Sequence, residues 1–448
     1  MPAATTSQKK QSSFVTTMSS PMFRGATIAV FISSLGVSAA APQIASFLVN
    51  DLHASLTVAG LYYLTNLTAP IAGYLVGSRS DHTGKRLNLF RLCALAGFLG
   101  WIGIAFSTQV WMPFVISAVV LGFAGAAGSQ LFAAIHDHAK GHPDGEGIVA
   151  VVRMSVTAGW VIGPVVGSFL ASAFGYHAML FVIAACNLAQ IIPIGFLRDA
   201  PPAADSPVKT PTSPDASAWV ASDSGEAEMG ALVPDDIVTD AQQVADGVSH
   251  RPGLKAMWPL LAFTGLYILV YAGEPIKYGY LPIYMRETMH LPAVVSGAVI
   301  GIQPLIELLL MPLSVIVARR TGMMRLMVLG AVFGVGAYLC FALTDNVAGM
   351  FAGQVLMGGV WGIFAALGII LAQRLLSQAV ATASAIFMSS TAIASALGGL
   401  TGGLGVGVVG LPLVFLMPAF YCLLGAIGIA VMSRKHNNGN EVSLSPTS

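Results

Sequence analysis

The stretch GSRSDHTGKR, residues 77–86, is a polar and basic turn between two apolar runs of the chain. Its pattern is G-x-x-x-D-x-x-G-K-R, in which Gly77 permits a close helix contact. Asp81 lies where an acid can meet the positive end of a helix dipole. Lys85 and Arg86 can pair with acids or with lipid phosphates. Taken alone, the stretch also fits an ordinary basic loop, so its meaning depends on its surroundings.

The composition around this turn is that of a membrane protein. The chain has 448 residues, of which 55% are hydrophobic and 9% charged, whereas a soluble protein carries about 25% charged residues. So few charges cannot cover a surface in water, and the main solvent is therefore lipid. The net charge of +1 gives no support for nucleic-acid binding. The four cysteines lie in separate apolar runs and suit packing better than a metal site or a disulfide framework.

Twelve apolar runs lie along the chain, each near the ~20 residues that a membrane-spanning helix needs. They predict an all-α membrane protein with twelve transmembrane helices in two six-helix bundles, at 25–197 and 257–433. The linker at 198–256 is rich in Pro, Ser and acidic residues and is predicted to be disordered, although a docking role stays open. Residues 1–24 and 434–448 form the terminal tails. The runs are 25–49, 56–78, 88–107, 111–135, 148–173, 177–197, 257–284, 292–318, 323–344, 347–373, 380–405 and 410–433.

The basic residues predict which side of the membrane each loop faces. If the N-terminus is cytoplasmic, 18 of the 21 Lys and Arg residues fall on the cytoplasmic side. Arg286 falls in an outer loop, and Arg153 and Lys277 lie within apolar runs. This bias follows the positive-inside rule. We therefore expect a multi-pass protein of the plasma (inner) membrane, with both tails in the cytoplasm.

The two halves of the chain repeat. Six helices per half is an even number, so both halves have the same orientation. A parallel repeat of this kind predicts a binding site near the midplane, between the halves. Three pairs of glycines carry the repeat at offsets of 235–238 residues, namely Gly84 with Gly322, Gly163 with Gly398, and Gly175 with Gly410.

With twelve runs and a repeat around it, the turn at 77–86 resembles the loop motif of the major facilitator superfamily. In that family the loop holds the two bundles closed on the cytoplasmic side. The resemblance implies that Asp81 faces the start of helix eleven, and that Arg86 or Lys85 faces Asp137. The cytoplasmic gate so implied consists of Gly77, Asp81, Gly84, Lys85, Arg86 and Asp137.

A second motif is GWVIGPVVG, residues 159–167, in helix five. Gly159, Gly163 and Gly167 are spaced by four and form a small-residue face for close helix packing. Pro164 leaves a backbone carbonyl unpaired and kinks the helix. The pattern resembles the helix-five motif of the superfamily's exporters. The buried Arg that such exporters carry in helix four is absent here, which argues against generic drug/proton antiport.

A narrower likeness is to the sugar efflux transporter family. It implies a secondary active transporter that exports sugars or similar small polar molecules by alternating access, coupled to protons. The likeness is best in helices four, five and eight, and it is weak in helix seven. The matching residues are Gln130 and His138 around the end of helix four, Arg153 before WVIGP, Glu307 and Pro312 in helix eight, and, more weakly, Gln373 at the end of helix ten.

Two acids lie inside the predicted spans, Glu274 and Glu307. An ionisable residue at mid-bilayer costs at least ~2.5–3.5 kcal/mol, so it normally faces a partner or water. Glu307 lies about 15 residues into helix eight, roughly 22 Å at ~1.5 Å per residue. Glu274 is placed by the same estimate in the outer half of helix seven, so the two need not touch. We predict that both are proton-coupling residues, Glu307 foremost, with a structural acid paired to Arg153 as the alternative.

The apolar run assigned to helix seven contains both an acid and a base. Glu274 and Lys277 are three residues apart and can pair, and Pro275 breaks the helix beside them. Tyr280 and Tyr284 are assigned to the outer interfacial belt. Each polar residue in a span is by itself more often a helix contact, and an Arg near a helix end can snorkel to the interface. The candidate substrate-binding residues are Asn66, Gln130, Arg153, Trp160, Tyr271, Lys277, Tyr278, Gln303, Trp361 and Gln373.

The sequence therefore predicts a monomeric transporter whose partners are the lipid bilayer, a small-molecule substrate and protons. It predicts no enzyme, no metal and no cofactor, because neither a soluble catalytic domain nor a phosphate-binding loop can be read. Two alternatives stay open. One is efflux of amphipathic drugs by proton antiport, and the other is a membrane sensor that signals through the acidic linker.

Overall fold

The computed structural model describes residues 13–139, 142, 144–199 and 254–442. Most of the linker predicted at 198–256, and the outer parts of both predicted tails, lie outside the described residues. Within the described ranges the chain is helical and contains no β-strand. A backbone inside a bilayer must satisfy its own hydrogen bonds, and helices do so within one segment. The all-α prediction is confirmed.

Six helical segments form the N-terminal bundle, preceded by a short helix at Ser13–Ser19. Three of them change their helical geometry or turn within the span. The segments are α1 (Pro21–Ala40, resuming at Ile44–Asn50), α2 (Leu56–Leu61, a 3₁₀ stretch Tyr62–Thr68, and Ala69–Thr83), α3 (Arg86–Ala105), α4 (Trp111–Ile116, a π-helical turn Ser117–Leu121, and Gly122–Ala139), α5 (Gly145–Phe174) and α6 (Tyr176–Ala189).

Six further segments form the C-terminal bundle. Within the described residues, ten of these twelve segments are long and apolar enough to cross a membrane. The two that do not meet this criterion are the divided α2 and the short α6. The C-terminal segments are α7 (Leu254–Tyr271, Gly273–Ile283 and a π-helical turn Tyr284–Thr288), α8 (Ala293–Thr321), α9 (Met323–Leu343), α10 (Val347–Leu375), α11 (Val380–Val409) and α12 (Leu416–Val442).

The end of α6 differs from the predicted run at 177–197. The α-helix stops at Ala189, and a series of turns continues to Phe196. Pro193 has no backbone N–H with which to extend a helix, and Gly195 adopts a positive φ of 50°. Apolar composition therefore overstated the length of this helix.

Prolines account for the breaks in α2 and α7. Pro70 cannot donate to the carbonyl of Asn66, and the N–H of Ala69 bonds to that carbonyl instead, in the tighter 3₁₀ pattern. In the same way, Pro275 cannot donate to the carbonyl of Tyr271, where the first part of α7 ends. Both breaks lie in the interior of their helical segments and not at the ends.

The repeat predicted from glycines is present in the backbone. Gly84 ends α2 with φ of 64°, and Gly322 ends α8 with φ of 89°. Gly175 ends α5 with φ of 87°, and Gly410 ends α11 with φ of 70°. Positive φ is the conformation that glycine adopts at least cost. The two bundles therefore turn their chains at equivalent points.

The third glycine pair marks equivalent helix contacts. A Cβ at Gly163 of α5 would overlap the Oγ atom of Ser38 and lie 2.8 Å from the carbonyl oxygen of Leu35, so α5 packs closely against the backbone of α1. A Cβ at Gly398 of α11 would overlap the carbonyl of Ala272 in α7. Helix five thus packs on helix one as helix eleven packs on helix seven. Small residues allow this close approach in a membrane, where packing rather than water drives association.

The bundles are joined chiefly by two helix pairs, α5 with α8 and α2 with α11, and α7 also contacts α1 and α2. A Cβ at Gly301 of α8 would lie 2.5 Å from the carbonyl oxygen of Val161, and a Cβ at Gly403 of α11 would lie 2.8 Å from that of Thr57. We call the side that carries the loop at 83–86 the basic face. These contacts lie toward the opposite face, so the bundles are packed together at that end.

Candidate functional site

A central cavity lies between the bundles, at the depth of the helix breaks. Its walls are largely apolar and include several aromatic rings, with a few amide, hydroxyl and carboxylate groups, which is the usual make-up of a small-molecule site. The residues that line it include Tyr62, Tyr63 and Asn66 of α2, Ser117 of α4, Trp160 of α5, Tyr271, Glu274 and Tyr278 of α7, and Ser395 of α11.

The 3₁₀ stretch of α2 supplies one wall of the central cavity. The Nδ2 group of Asn66 donates to the Oγ atom of Ser395 at 2.9 Å, which links the two bundles. The hydroxyls of Tyr62 and Ser117 lie 2.5 Å apart. Sequence reasoning selected Asn66 but missed Tyr62, Tyr63, Ser117 and Ser395. Pro70, which causes the 3₁₀ stretch, was the available signal.

The break in α7 positions Glu274. This carboxylate lies in the first turn of the helix Gly273–Ile283, whose N-terminus carries a partial positive charge that favours an acid. The indole Nε1 group of Trp361 donates to Oε1 of Glu274 at 2.5 Å. Glu274 is only 3% exposed, although it borders the central cavity. The helix break, the indole and the neighbouring lysine together fix its orientation.

Lys277 lies one turn further along α7. Its Nζ atom is 2.6 Å from Oε2 of Glu274, so the predicted contact between these two residues is present. The same ammonium donates to Oε1 of Gln303 on α8. It also lies 4.3 Å from the ring centroid of Tyr278, at a distance suited to a cation–π interaction. Lys277 therefore connects α7 to α8.

Glu307 lies at the middle of α8, which is 29 residues long. It is 1% exposed, and its Oε1 atom has no hydrogen-bond partner within the described part of the chain. It lies within electrostatic range of Glu274 and Lys277. These three residues form what we call the buried charge cluster. Among the residues whose burial the structure describes, at 14–139, 144–145, 147–199, 256–380 and 382–434, they are the charged side chains that are fully buried.

Glu274 and Glu307 lie within electrostatic range of each other, although they lie on different helices. The described part of α7 runs from Leu254 to Thr288, a few residues beyond both ends of the apolar run at 257–284. Glu274 lies past the midpoint of this segment, so the placement in the second half of the helix is unchanged.

The gate residues lie together on the basic face. The Nε atom of Arg86 is 2.5 Å from Oδ2 of Asp137, which is the contact that the family resemblance implied. Nη1 of Arg86 is also 3.4 Å from Oδ1 of Asp81. This ion pair of Asp81 is made within the N-terminal bundle, whereas the resemblance implied a contact with the start of α11. Lys85 is exposed, and Gly77 is buried in α2.

Three predicted substrate-binding residues lie apart from the central cavity. Gln130 is buried in α4, where its Oε1 atom has no hydrogen-bond partner in the described ranges. The guanidinium of Arg153 lies 5.6 Å from the ring centroid of Phe132. Gln373 donates to the Oγ atom of Ser384 at 3.0 Å, between α10 and α11. The remaining predicted residues lie in the cavity wall or beside the buried charge cluster.

The opposite face is closed by contacts between the bundles. The Tyr280 hydroxyl donates to the carbonyl of Leu56 at 3.1 Å, and Nη1 of Arg286 donates to the Tyr176 hydroxyl at 2.9 Å. Tyr280 is 1% exposed and Tyr284 is buried as well. Their assignment to an outer interfacial belt is wrong, because both rings pack inside the protein.

Sequence comparison identifies related proteins. The model of the Major Facilitator Superfamily matches residues 26–399. A "Putative sugar efflux transporter" of Deinococcus radiodurans is 25% identical over 402 residues, which cover 89% of this chain and 95% of that protein. "Sugar efflux transporter A" of Dickeya chrysanthemi is 24% identical over 379 residues, which cover 84% of this chain and 87% of that protein.

Solved structures share the fold. The crystal structure of nucleoside transporter NupG superposes with a TM-score of 0.70 at 16% identity, covering 92% of this chain and 98% of that one. An auto inhibited POT family peptide transporter superposes with a TM-score of 0.68 at 14% identity, covering 92% and 96%. The chain is therefore a multi-pass membrane transporter, not an enzyme, and it belongs to the Major Facilitator Superfamily.

Proposed function

We propose that the chain is a proton-coupled exporter of sugars or similar small polar molecules, and that it works by alternating access. The observation that carries this proposal is the buried charge cluster behind the central cavity. The substrate class is suggested by relatives named as sugar efflux transporters. The chemistry of the cavity is compatible with that class.

The buried charge cluster offers a site for one proton. It contains two carboxylates and one ammonium group, so it carries an excess negative charge unless one carboxyl group is protonated. An uncompensated charge buried away from water costs several kcal/mol. Glu274 already has Lys277 and Trp361 as partners. Glu307 is therefore the better candidate to bind and release the proton.

The central cavity offers the groups that recognise a sugar. Aromatic rings such as Trp160, Tyr271 and Tyr278 present flat faces to the apolar side of a sugar ring. Asn66 and Glu274 present hydrogen-bonding groups to hydroxyls. Lys277, Gln303 and Trp361 act on the substrate through the orientation of Glu274. The predicted roles of Gln130, Arg153 and Gln373 in substrate binding stay predictions.

The orientation follows from the basic residues. If the basic face is cytoplasmic, the opposite face is the outer one, and the described contacts close the cavity toward the outside. Substrate would then enter from the cytoplasm. The Arg86–Asp137 pair and its neighbours would form the cytoplasmic gate, and helix five, with Gly159, Gly163 and Gly167, would carry the movement of α1.

The test is transport by the reconstituted wild-type protein. Proteoliposomes with an imposed pH gradient are loaded with labelled sugars from a panel, and counterflow and net efflux are measured. We expect at least one sugar to be transported, faster when protons move in the opposite direction. Sugar transport that is equal with and without the pH gradient would refute proton coupling. No transport of any sugar in the panel would refute the substrate class.

One observation favours a second candidate, efflux of amphipathic drugs. The wall of the central cavity is rich in Tyr and Trp rings, which also bind planar apolar compounds. The two functions differ in a direct assay. Cells that produce the protein would become resistant to several cationic or planar drugs, while labelled sugars would not be transported.

A further inference from the structure

Two buried acids share one buried cation. Glu274 and Lys277 lie on α7, and Glu307 lies on α8 within electrostatic range of both. All three side chains are at most 3% exposed. A buried cation that lost both acids would be as unfavourable as a buried acid that lost its cation. Lys277 must therefore remain beside at least one of the two carboxylates.

The ammonium of Lys277 makes contacts with both α7 and α8. It pairs with Glu274 at 2.6 Å on its own helix and donates to Gln303 on α8. Gln303 precedes Glu307 by one helical turn, so both residues project from the same face of α8. Lysine carries its charge on a flexible four-carbon stem and has three donors. Rotation of this side chain about its own bonds can therefore turn the ammonium from Glu274 toward the face of α8 that carries Gln303 and Glu307.

We propose that Lys277 is a shared, mobile counter-ion that pairs with Glu274 while Glu307 holds a proton and moves to Glu307 when that proton leaves. The proton passes from the Glu307 carboxyl oxygen to water, and Lys277 remains an ammonium ion throughout. This inference rests on the proposed proton coupling and adds the residue that transmits it. Lys277 is a positioning residue in this step, because it acts on the substrate site through Glu274.

The consequence falls on the central cavity. Glu274 borders that cavity, whereas Lys277 and Glu307 lie behind it in the C-terminal bundle. When Lys277 moves away, the Glu274 carboxylate keeps the Trp361 hydrogen bond but loses its cation. It then presents a net negative charge to the cavity. A carboxylate whose charge and lone pairs are no longer taken up by an ammonium accepts stronger hydrogen bonds, so substrate hydroxyls would bind better in this state.

Few other ionisable groups face the buried charge cluster in the described ranges. On α12, Cys422 lies within electrostatic range of Glu274. On α5, which packs against α8, Arg153 lies beside Phe132 of α4. Tyr278 of α7, Gln303 of α8 and Trp361 of α10 add neutral groups to the surroundings. Among the described residues, Lys277 is therefore the cation that can balance a charged Glu307.

Trp361 reports the position of Lys277, because its indole shares the Glu274 carboxylate with the ammonium. The emission of purified wild-type protein is measured between pH 5 and pH 9, without sugar, and the emission of Trp361→Phe is subtracted. The same subtraction with Trp111→Phe, at an exposed position, is the control and should show no such pH-dependent change. We expect one pH-dependent change in Trp361 emission. It should disappear in Glu307→Gln and remain in Glu307→Asp.

The matched control for Glu307→Gln is Ser314→Ala. Ser314 is buried two turns further along α8, and its hydroxyl donates only to its own helix, at Leu310. The pH-dependent change should be preserved in this variant. A wild-type protein without the change, or a change that survives in Glu307→Gln, would overturn the proposal. Because no sugar is present, this result is independent of whether the proposed substrate class is correct.

Structures of the wild-type protein at pH 5 and pH 9 distinguish movement of Lys277 from a direct effect of Glu307 on the indole. At pH 9 we expect Nζ of Lys277 to be closer to Glu307 than to Glu274. In Glu307→Gln at pH 9, Nζ should stay on Glu274. If Nζ stays on Glu274 in the wild-type protein at both pH values, the mobile counter-ion is refuted.

Discussion

The two bundles share a backbone repeat but keep their charges in different places. In the N-terminal bundle, Arg86, Asp81 and Asp137 form ion pairs on the basic face, where each is at least partly exposed. In the C-terminal bundle, Glu274, Lys277 and Glu307 are buried at the depth of the central cavity. The repeated backbone supplies only the framework, and each half has acquired its own chemistry on it.

The corresponding loop of the second half supports this comparison. Around Gly322, which is equivalent to Gly84, the chain carries Arg319, Arg320 and Arg325 as exposed residues. These three residues make no ion pair within the described ranges. The network with acids is thus a property of the N-terminal bundle. We call Arg86, Asp81, Asp137 and the exposed residues around them on the basic face the rim, and the buried charge cluster the core. We infer that the rim controls closure and that the core binds and releases the proton.

The largest expected effect is at the core. Lys277→Met leaves two buried carboxyl groups without their cation, so we expect the free energy of unfolding to fall by about 3–5 kcal/mol at neutral pH. Thermal unfolding in detergent measures this change. Lys85→Met is the matched control, because Lys85 is exposed at the rim, and it should change the melting temperature little. Equal melting temperatures for the two variants would contradict the division between rim and core.

The next effect compares repeat-related glycines. Gly163→Ala and Gly398→Ala both force a methyl group against a neighbouring helix, and we expect each to lower stability by about 1–3 kcal/mol. The methyl group at 398 presses on Ala272 and Pro275, at the break that positions Glu274. Transport per folded molecule should therefore fall much further in Gly398→Ala than in Gly163→Ala.

The control for both glycine variants is Gly73→Ala. A Cβ at Gly73 meets open space, so this change should raise stability by up to about 1 kcal/mol through the better helix propensity of alanine. Stability is measured by thermal unfolding, and transport is normalised to the folded protein recovered. Equal transport losses at positions 163 and 398 would show that the break in α7 has no special role.

A smaller effect is expected at the rim. Arg86 and Asp137 are partly exposed, so a double-mutant cycle with Arg86→Ala and Asp137→Ala should give a coupling energy of only about 0.2–1 kcal/mol. The coupling should weaken at high salt, because exposed charges are screened. Unfolding at low and high salt provides the measurement. A coupling as large as the effect of Lys277→Met would contradict the comparison.

The smallest effect is expected at Asp51, beyond the end of α1. Burial raises the pKa of this carboxyl group above its usual 3.8, and this outweighs the lowering by His177 and His53. The folded state thus binds the proton more tightly than the unfolded state, so this group makes folding less favourable as pH rises above about 3.8. Asp51→Asn should gain a few tenths of a kcal/mol at pH 7.

Melting temperatures at pH 7 and near pH 3.5 test the prediction for Asp51. The gain should be present at pH 7 and largely lost at the acidic pH, where the wild-type carboxyl group is mostly protonated in both states. A loss of stability at pH 7 would mean that the ion pair with His177, at 3.6 Å, outweighs burial. The ion pair of Asp51 with His177 would then stabilise the fold, as the Arg86 ion pairs on the basic face are expected to do.

Local features of the fold could be read from the sequence. The glycine offsets predicted the repeat, because positive φ and close helix contact both require glycine at fixed places. The spacing of Glu274 and Lys277 predicted their contact, since residues three apart share a helix face. Pro275 predicted the break beside them. Each of these inferences concerns one helix or one turn, where spacing and geometry are directly linked.

Relations between helices could not be read in the same way. The sequence did not fix how α7 and α8 rotate about their axes, so the approach of Lys277 to Gln303 and Glu307 was not foreseen. The apolar runs gave only approximate helix ends, as at α6, where the α-helix stops at Ala189. The walls formed by Tyr62 and Ser117 depend on irregular helical turns, which apolar composition does not show.

Proton movement by Glu307→Gln provides the most direct test of the proposed coupling. The wild-type protein, Glu307→Gln and Ser314→Ala are reconstituted with a pH-sensitive dye inside the vesicles, and a gradient of a transported sugar is imposed. We expect sugar-dependent pH changes in the wild-type protein and Ser314→Ala. Glu307→Gln should still exchange labelled sugar at equal pH, while its proton movement falls at least about tenfold, equivalent to ~1.4 kcal/mol. Undiminished proton-coupled efflux in Glu307→Gln would show that this carboxylate does not carry the proton.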